Sequence, residues 1–358
     1  LKDVELALRR SILLLLKLFR GFRQRSNEQL QVILKDLLSS STTILFLRQD
    51  RIGDAIISTP LLVAISKAYP KASIMMLLGK NNKAFTELLP ISCETVVYTK
   101  DPRADRLMIG TLRKRGIDIL IDLTDNASVT SSLLIQRIHP KVAIGIEKEN
   151  AVMYDIVVPR LDRENVHIAR RIAELLRPLG IDPDTVPLQP SLNIQRRDPI
   201  PGRVGLNVSA GSVSRYAPAE TYAKIALGII QEPSTKEVEV LSAPGDSEFA
   251  QRIVALANHP KIFKAQSTFS LSEFGAEVST CEVLVTPDTS IVHLGAAVGV
   301  PMVVIYAPIP DGLQYWTPIG VPYEMMVQRP SLEALEPEPV LSLFRQLRLR
   351  LGDSARRS

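Results

Sequence analysis

From Thr42 onward the chain alternates between short apolar runs and segments with helical spacing. The apolar runs include Thr43–Arg48, Ser73–Gly79, Thr95–Tyr98, Asp118–Leu123 and Val142–Ile146, then Val204–Val208, Glu239–Ser242, Val283–Thr286 and Met302–Tyr306. Each is nearly continuous rather than alternating, as expected of a strand buried on both faces. Helical segments fall between them, among them Ile56–Ala68, Lys83–Leu88 and residues 166–179, 219–231, 247–257 and 291–298. Strands separated by helices predict an α/β protein with parallel sheets covered on both sides. Five prolines within Pro183–Pro201 interrupt the alternation and predict a stiff linker. The pattern thus divides into an N-terminal Rossmann-like domain over 41–182, a linker over 183–202 and a C-terminal Rossmann-like domain over 203–330, the two domains facing across a cleft. A last helix over 331–358 is expected to pack back on the N-terminal domain.

Residues 1–40 form an extra N-terminal helical segment, with Leu6, Leu8, Ile12, Leu13, Leu15, Leu16 and Phe19 among basic positions. Such a stripe suits an interfacial membrane helix as well as a helix packed on the protein's own body. The placement of charge sharpens this. The 358 residues carry a net +5. Residues 1–25 hold Lys2, Arg9, Arg10, Lys17, Arg20, Arg23 and Arg25 against Asp3 and Glu5, and residues 341–358 hold Arg345, Arg348, Arg350, Arg356 and Arg357 against Asp353. The body between is mildly acidic, which argues against a general nucleic-acid surface. No apolar run reaches transmembrane length. Two cysteines, Cys93 and Cys281, make neither a disulfide framework nor a four-ligand zinc site, and both read as small buried apolar residues in a reducing compartment.

Three strand–turn–helix segments carry candidate chemistry. In Arg48-Gln49-Asp50-Arg51-Ile52-Gly53-Asp54, Gly53 permits close backbone approach and Asp54 sets a carboxylate at the helix start. Such a carboxylate caps the first turn, for about 0.5–2 kcal/mol, or serves as a general base in the crevice beyond the strand ends; spacing alone favours the cap. In Thr286–Leu294, Asp288, Thr289 and Ser290 offer side-chain oxygens beside backbone N–H groups suited to a phosphate, and His293 lies one turn further on. In Asn207–Arg215, the small residues Ser209, Gly211 and Ser214 form a loop of the kind that cradles phosphates and ends in the cation Arg215. A capped helix and a plain surface loop are the structural readings of the last two. The chain contains no G-x-G-x-x-G and no P-loop, which weakens a dinucleotide reading and removes a P-loop NTPase.

Two stretches together resemble glycosyltransferase family 9, the heptosyltransferases of bacterial lipopolysaccharide core synthesis. They are ILFLRQDRIGDAIISTPLLVAISKAYPKASIMMLLG at Ile44–Gly79 and VLVTPDTSIVHLGAAVGVPMVVIYAP at Val283–Pro308. The resemblance spans about residues 43–320. It implies a GT-B fold and inverting transfer of a heptose from an ADP-sugar to a lipid-linked acceptor, with no obligatory cofactor or metal. Asp54 matches the family's base. Asp288, Thr289 and His293 match nucleotide-sugar contacts, and Arg215 matches a lysine facing the diphosphate. Asp246 or Glu248 matches an acid near the nucleotide. Arg51, Gly53 and Asn126 fall on the acceptor side. The chain departs from the family pattern at Asn207-Val208-Ser209, where His-Pro-Gly is usual, at Ser290, where glycine is usual, and at Arg215-Tyr216-Ala217, where Lys-x-Trp is usual.

The function so implied is an inverting glycosyltransferase, cytoplasmic and peripheral on the cytoplasmic face of the inner membrane. The basic residues 1–25 and 341–358 would meet its anionic surface. Two other readings remain open at this stage: a membrane-associated glycan- or nucleotide-sugar-binding protein without efficient transfer, and a nucleotide-sugar epimerase, which would need no acceptor.

Overall fold

The computed structural model describes residues 26–266, 268, 270–308 and 316–355. The chain divides into two compact units. The first takes the described residues up to Asp162 together with Val166–Pro187, and the second takes Arg163–Asn165 and the described residues from Leu188 onward.

The first unit holds α1 (Asn27–Ser39), β1 (Thr43–Arg48), α2 (Ile52–Ile57), α3 (Thr59–Ala68), β2 (Ser73–Gly79), β3 (Glu94–Tyr98), α4 (Pro102–Arg115), β4 (Ile119–Asp122), α5 (Val129–Ile138), β5 (Val142–Ile146), β6 (Ile156–Val158) and α6 (Ile168–Ala173). Its strands are all parallel, in the order β3-β2-β1-β4-β5-β6. Ile44, Leu45, Phe46 and Leu47 are all fully buried in succession. That is why β1 reads as an unbroken apolar run: helices cover both faces of a central parallel strand. The helix expected over Ile56–Ala68 is two helices meeting at Ser58, and 166–179 is α6 followed by 3₁₀ turns over Glu174–Leu179, where Pro178 removes an N–H.

The second unit holds β7 (Arg203–Asn207), α7 (Ala219–Ile230), β8 (Glu237–Leu241), α8 (Ser247–Ala257), β9 (Ile262–Lys264), α9 (Leu271–Val278), β10 (Val283–Pro287), α10 (Ser290–Val298), β11 (Met302–Tyr306), β12 (Tyr323–Val327) and α11 (Pro337–Ala355). Its sheet runs β12-β11-β10-β7-β8-β9, again all parallel. Both units therefore repeat the doubly wound order 3-2-1-4-5-6. The sheet-edge strands β6, β9 and β12 lie outside the apolar runs. They are short or only partly buried, and so lack the continuous apolar signal.

Four expectations change. The proline-rich stretch is not a bare linker: from Leu188 it lies along the second unit, where Gln189 and Arg196 donate to the Ala296 and Ala297 carbonyls and Ser279 Oγ accepts the Arg197 N–H at 2.8 Å. α11 packs within the second unit, with Val340, Leu341, Phe344 and Leu347 in the same core as Tyr222, Ile225 and Ile229 of α7. Three of the arginines expected to form a basic patch there are ion-paired inside that unit: Arg345 with Glu232 and Glu338, Arg348 with Glu282, and Arg350 with Glu324. Arg356, Arg357 and the basic residues 1–25 lie outside the described residues. Finally, Cys281 is buried as expected, but Cys93 is only half-buried.

Candidate active site

In each unit the strand order reverses at one point, between β1 and β4 and between β7 and β10, and open α/β sheets bind ligands beyond the carboxyl ends of the strands there. All three sequence segments fall at these points.

In the first unit, β1 ends at Arg48 and α2 starts after Arg51, its N-cap, which makes no side-chain capping bond. Asp54 is the third helical residue, and its carboxylate accepts a backbone hydrogen bond from Arg51. The capping contact weighed from spacing is therefore present, made from the third position. Asp54 is partly buried. Removal from water pushes its pKa from 3.8 up to about 6, and Asp50 adds to the rise, against Arg48, Arg51 and the backbone bond. This carboxyl is thus poised to exchange a proton near neutral pH.

The turn is held from below. The Arg48 guanidinium, 1% exposed, donates through Nε to Ser58 Oγ (2.9 Å) and through Nη1 to Asp50 Oδ2 (3.1 Å). Ser58 Oγ in turn donates to the Asp54 carbonyl (2.8 Å). Asn82 donates to the Arg48 carbonyl and accepts the Gly79 N–H, both at 2.7 Å. A Cβ at Gly79 would stand 2.5 Å from the Gln49 carbonyl oxygen, so the turn passes where only glycine leaves room.

Beside it, β4 ends in Asp122, fully buried against Lys148, whose side chain is also fully buried. Asp122 accepts from Tyr154 Oη (2.6 Å), Thr124 Oγ1 (2.7 Å) and Lys148 Nζ (3.2 Å). Burial pushes its carboxyl up, but Lys148, Tyr154 and Thr124 outweigh burial and hold it below the usual range. Lys148 also donates to the Thr124 carbonyl, fixing the loop that carries Asn126. Gln49 donates to Ser131 Oγ (2.8 Å), joining this loop region to the Asp54 turn. Arg51 and Asn126 are exposed and Gly53 is buried.

In the second unit, Arg215 Nη1 donates to the Asp288 carbonyl (2.9 Å) and pairs with Asp288 Oδ2 (3.1 Å), so the loop after β7 and the loop after β10 meet. Thr289 is the N-cap of α10 and accepts the Ile291 N–H (3.1 Å). Ser290 opens that helix, and His293, 5% exposed, lies one turn on with its ring 6.0 Å from Trp316. Asn207 donates to Thr286 Oγ1 (2.9 Å), and Ser209 Oγ accepts the Ala243 N–H (2.7 Å). The loop thus rests on its neighbours through Asn207 and Ser209. At its exposed tip a Cβ at Gly211 would meet nothing within 4 Å. Ser214 is exposed, 3.3 Å from Ser212 through the two hydroxyls. Tyr216 Oη lies 3.0 Å from Asp246 Oδ2, which draws Asp246 to this loop, whereas Glu248 is exposed on α8. A recess opens beside the ends of β8 and β9, lined by Pro244, Ser247, Lys264, Phe274 and Glu277 among others.

Sequence reading gave Arg48 no role within its motif and missed Asn82, Asp122 and Lys148. Arg48 and Asp122 do carry a signal, since each is a charged residue set against an otherwise apolar strand.

The family model described as glycosyltransferase family 9 (heptosyltransferase) matches residues 106–334, more than half of the chain. The chain belongs to glycosyltransferase family 9. With that membership it is a glycosyltransferase. The match covers Asn126 and every candidate residue of the second unit, but starts after the Asp54 turn. Among solved structures the fold is similar to a family 9 glycosyl transferase from Veillonella parvula (TM-score 0.69, 20% identity, 86% of this chain and 97% of that one). It is also similar to the ADP-heptose lipopolysaccharide heptosyltransferase II of E. coli (0.68, 20%, 87% and 100%) and to the E. coli heptosyltransferase WaaC with ADP (0.70, 14%, 86% and 100%). At these identities the likeness is one of fold, the GT-B type built from two Rossmann-like units. No curated protein sequence matches the chain.

Proposed function

We propose that this family 9 enzyme moves a heptose, or a related sugar, from an ADP-sugar to a lipopolysaccharide core or another lipid-linked glycan acceptor, with inversion. The observation that carries the reading is the Asp54 carboxyl, held at the switch point of the first unit with its pKa raised to about 6. Asp54 takes the proton from an acceptor hydroxyl while that oxygen attacks the anomeric carbon from the face opposite the diphosphate. The bond from that carbon to the diphosphate breaks, and ADP leaves. Arg51, Gly53 and Asn126 lie on the acceptor's side of the chemistry. The second unit takes the donor: Ser209, Gly211 and Ser214 offer loop N–H groups and hydroxyls to the diphosphate, with Thr289 and Ser290 beside them at the start of α10. Arg215 and His293 meet the charge that develops on the leaving group. The Arg215–Asp288 pair keeps Asp288 from repelling that charge. Asp246 stands nearer than Glu248 to this loop and is the acid assigned to the nucleotide side. Two of the similar structures are an ADP-heptose heptosyltransferase and a heptosyltransferase with ADP, which supports an adenine nucleotide here. A nucleotide-sugar donor and a lipid-linked acceptor together suit an enzyme working on the cytoplasmic face of a membrane. Among the described residues no helix is long and apolar enough to cross one.

The test is transfer from ADP-heptose to a lipid-linked core acceptor by the parent chain and by Asp54→Ala. Loss of a general base lowers turnover by about 10²–10⁴-fold, with ADP affinity nearly unchanged by calorimetry. Undiminished turnover in Asp54→Ala would overturn the assignment of the base. ADP-sugar binding without transfer by the parent chain would return the binding-protein reading.

A further inference from the structure

The described arginines of α11 are neutralised by glutamates of their own unit. The outer face of helix α4 of the first unit is not, although Arg115 at the helix end pairs with Glu94. The inner face of α4 is Asp105, Ile109 and Leu112, all buried, with Asp105 Oδ1 accepting from the Thr99 N–H (2.8 Å) and hydroxyl (2.9 Å). At about 100° per residue, Arg103, Arg106, Leu107, Gly110, Arg113 and Lys114 share the outer face. The four cations are exposed, and none has an ion-pair partner among the described residues. No carboxylate stands on that face; Asp101 is spent on capping the Arg103 and Ala104 N–H groups. Leu107, between the cations, is 75% exposed.

A solvated helix of this length ordinarily interleaves acids at i+3 and i+4, because like charges so spaced repel and weaken it. A face that keeps four cations unpaired around an exposed leucine gains nothing in water. It fits a surface of fixed negative charge with an apolar layer just beneath.

We infer that the outer face of α4 docks the protein on an anionic phospholipid bilayer, the four cations on headgroup phosphates and Leu107 in the acyl boundary. Nucleic acid supplies the phosphates but leaves the leucine without a role. The inference does not depend on the transfer reading, since docking requires no turnover.

The experiment is sedimentation of the full chain with phosphatidylcholine vesicles, with and without phosphatidylglycerol. The parent is expected to bind only the anionic vesicles and to be released by salt. R103Q/R106Q/R113Q/K114Q should lower partitioning by at least about a hundredfold, since each basic residue near such a surface is worth roughly a fivefold gain. L107A should lower it severalfold at unchanged charge. R345Q/R350Q should bind as the parent does. Because these side chains point to solvent, circular dichroism and the melting temperature should not change; if the quadruple variant misfolds, R106Q/K114Q takes its place with a smaller loss. Parent-like binding by a folded charge variant overturns the inference, and so does a loss confined to duplex DNA. Failure of transfer with docking intact would count against the catalytic reading alone.

Discussion

At the scale of single residues, Asp54 joins two demands that conflict. As the proposed base it must be ionised, yet the water-poor turn beside Asp50 favours its neutral form. The conflict gives a pH signature. Below about 6, the value to which its pKa is pushed, turnover should fall about tenfold per pH unit as the carboxylate is protonated. Stability should move the opposite way. The folded carboxyl holds its proton more tightly than the unfolded one, whose ordinary pKa is 3.8. Native stability contributed by this group therefore declines as pH rises through the interval from 3.8 to about 6, and the penalty is full above it. Asp54→Asn keeps the shape and removes the titration. It should melt above the parent at about pH 8 and converge with it toward about pH 4. A variant less stable than the parent at the higher pH would mean that the carboxylate is there for structure alone.

At the scale of elements, the buried pair Asp122–Lys148 governs the loop between β4 and α5. Both side chains are fully buried, and Tyr154 and Thr124 complete the acceptor sites of the carboxylate. Removing one partner strands a charge, which costs about 3–5 kcal/mol, whereas replacing both by apolar residues of similar size is far milder. Lys148→Met should therefore lower the denaturation midpoint sharply, and Asp122→Leu combined with Lys148→Met should recover most of the loss. Additive losses in that cycle would refute a coupled pair. This element also marks where sequence reading stops. The strands β1, β2, β5 and β11 were legible to the residue, because a central parallel strand must be apolar on both faces. The strand–turn–helix form of the second unit's candidate segments was legible because those motifs are local. Lys148 was not, since its partner lies 26 positions away and only the sheet register brings them together. The same holds for Asn82, whose amide reaches back to Arg48.

At the scale of the whole molecule, the net +5 proves a poor guide to where charge is available. The described arginines of α11 face glutamates, and the expectation that this helix returns to the first unit fails for a related reason. Its apolar stripe of Val340, Leu341, Phe344 and Leu347 has helical spacing that any sheet-covering groove would accept. Spacing says that the stripe is buried but not against what. The second unit decides it with Gly228, where a methyl would fall 2.3 Å from Leu341 Cδ1, so that α7 and α11 approach closely. Phe344 is fully buried in the resulting core with Tyr222 and Ile229. Truncating it leaves a cavity between a helix and a sheet that are both held by other contacts, and collapse is only partial. Phe344→Ala should therefore cost about 3–5 kcal/mol of stability, read as a lowered midpoint in chemical denaturation. If the loops after β7 and β10 take the nucleotide as proposed, saturating ADP should raise the melting temperatures of this variant and of the parent alike, in proportion to ln(1 + [L]/Kd). A variant of parental stability would mean that α11 is dispensable to the second unit. In that case the ion pairs of Arg345, Arg348 and Arg350, rather than the apolar stripe, would have to hold the helix, and exposed pairs of that kind contribute only about 0–1 kcal/mol each.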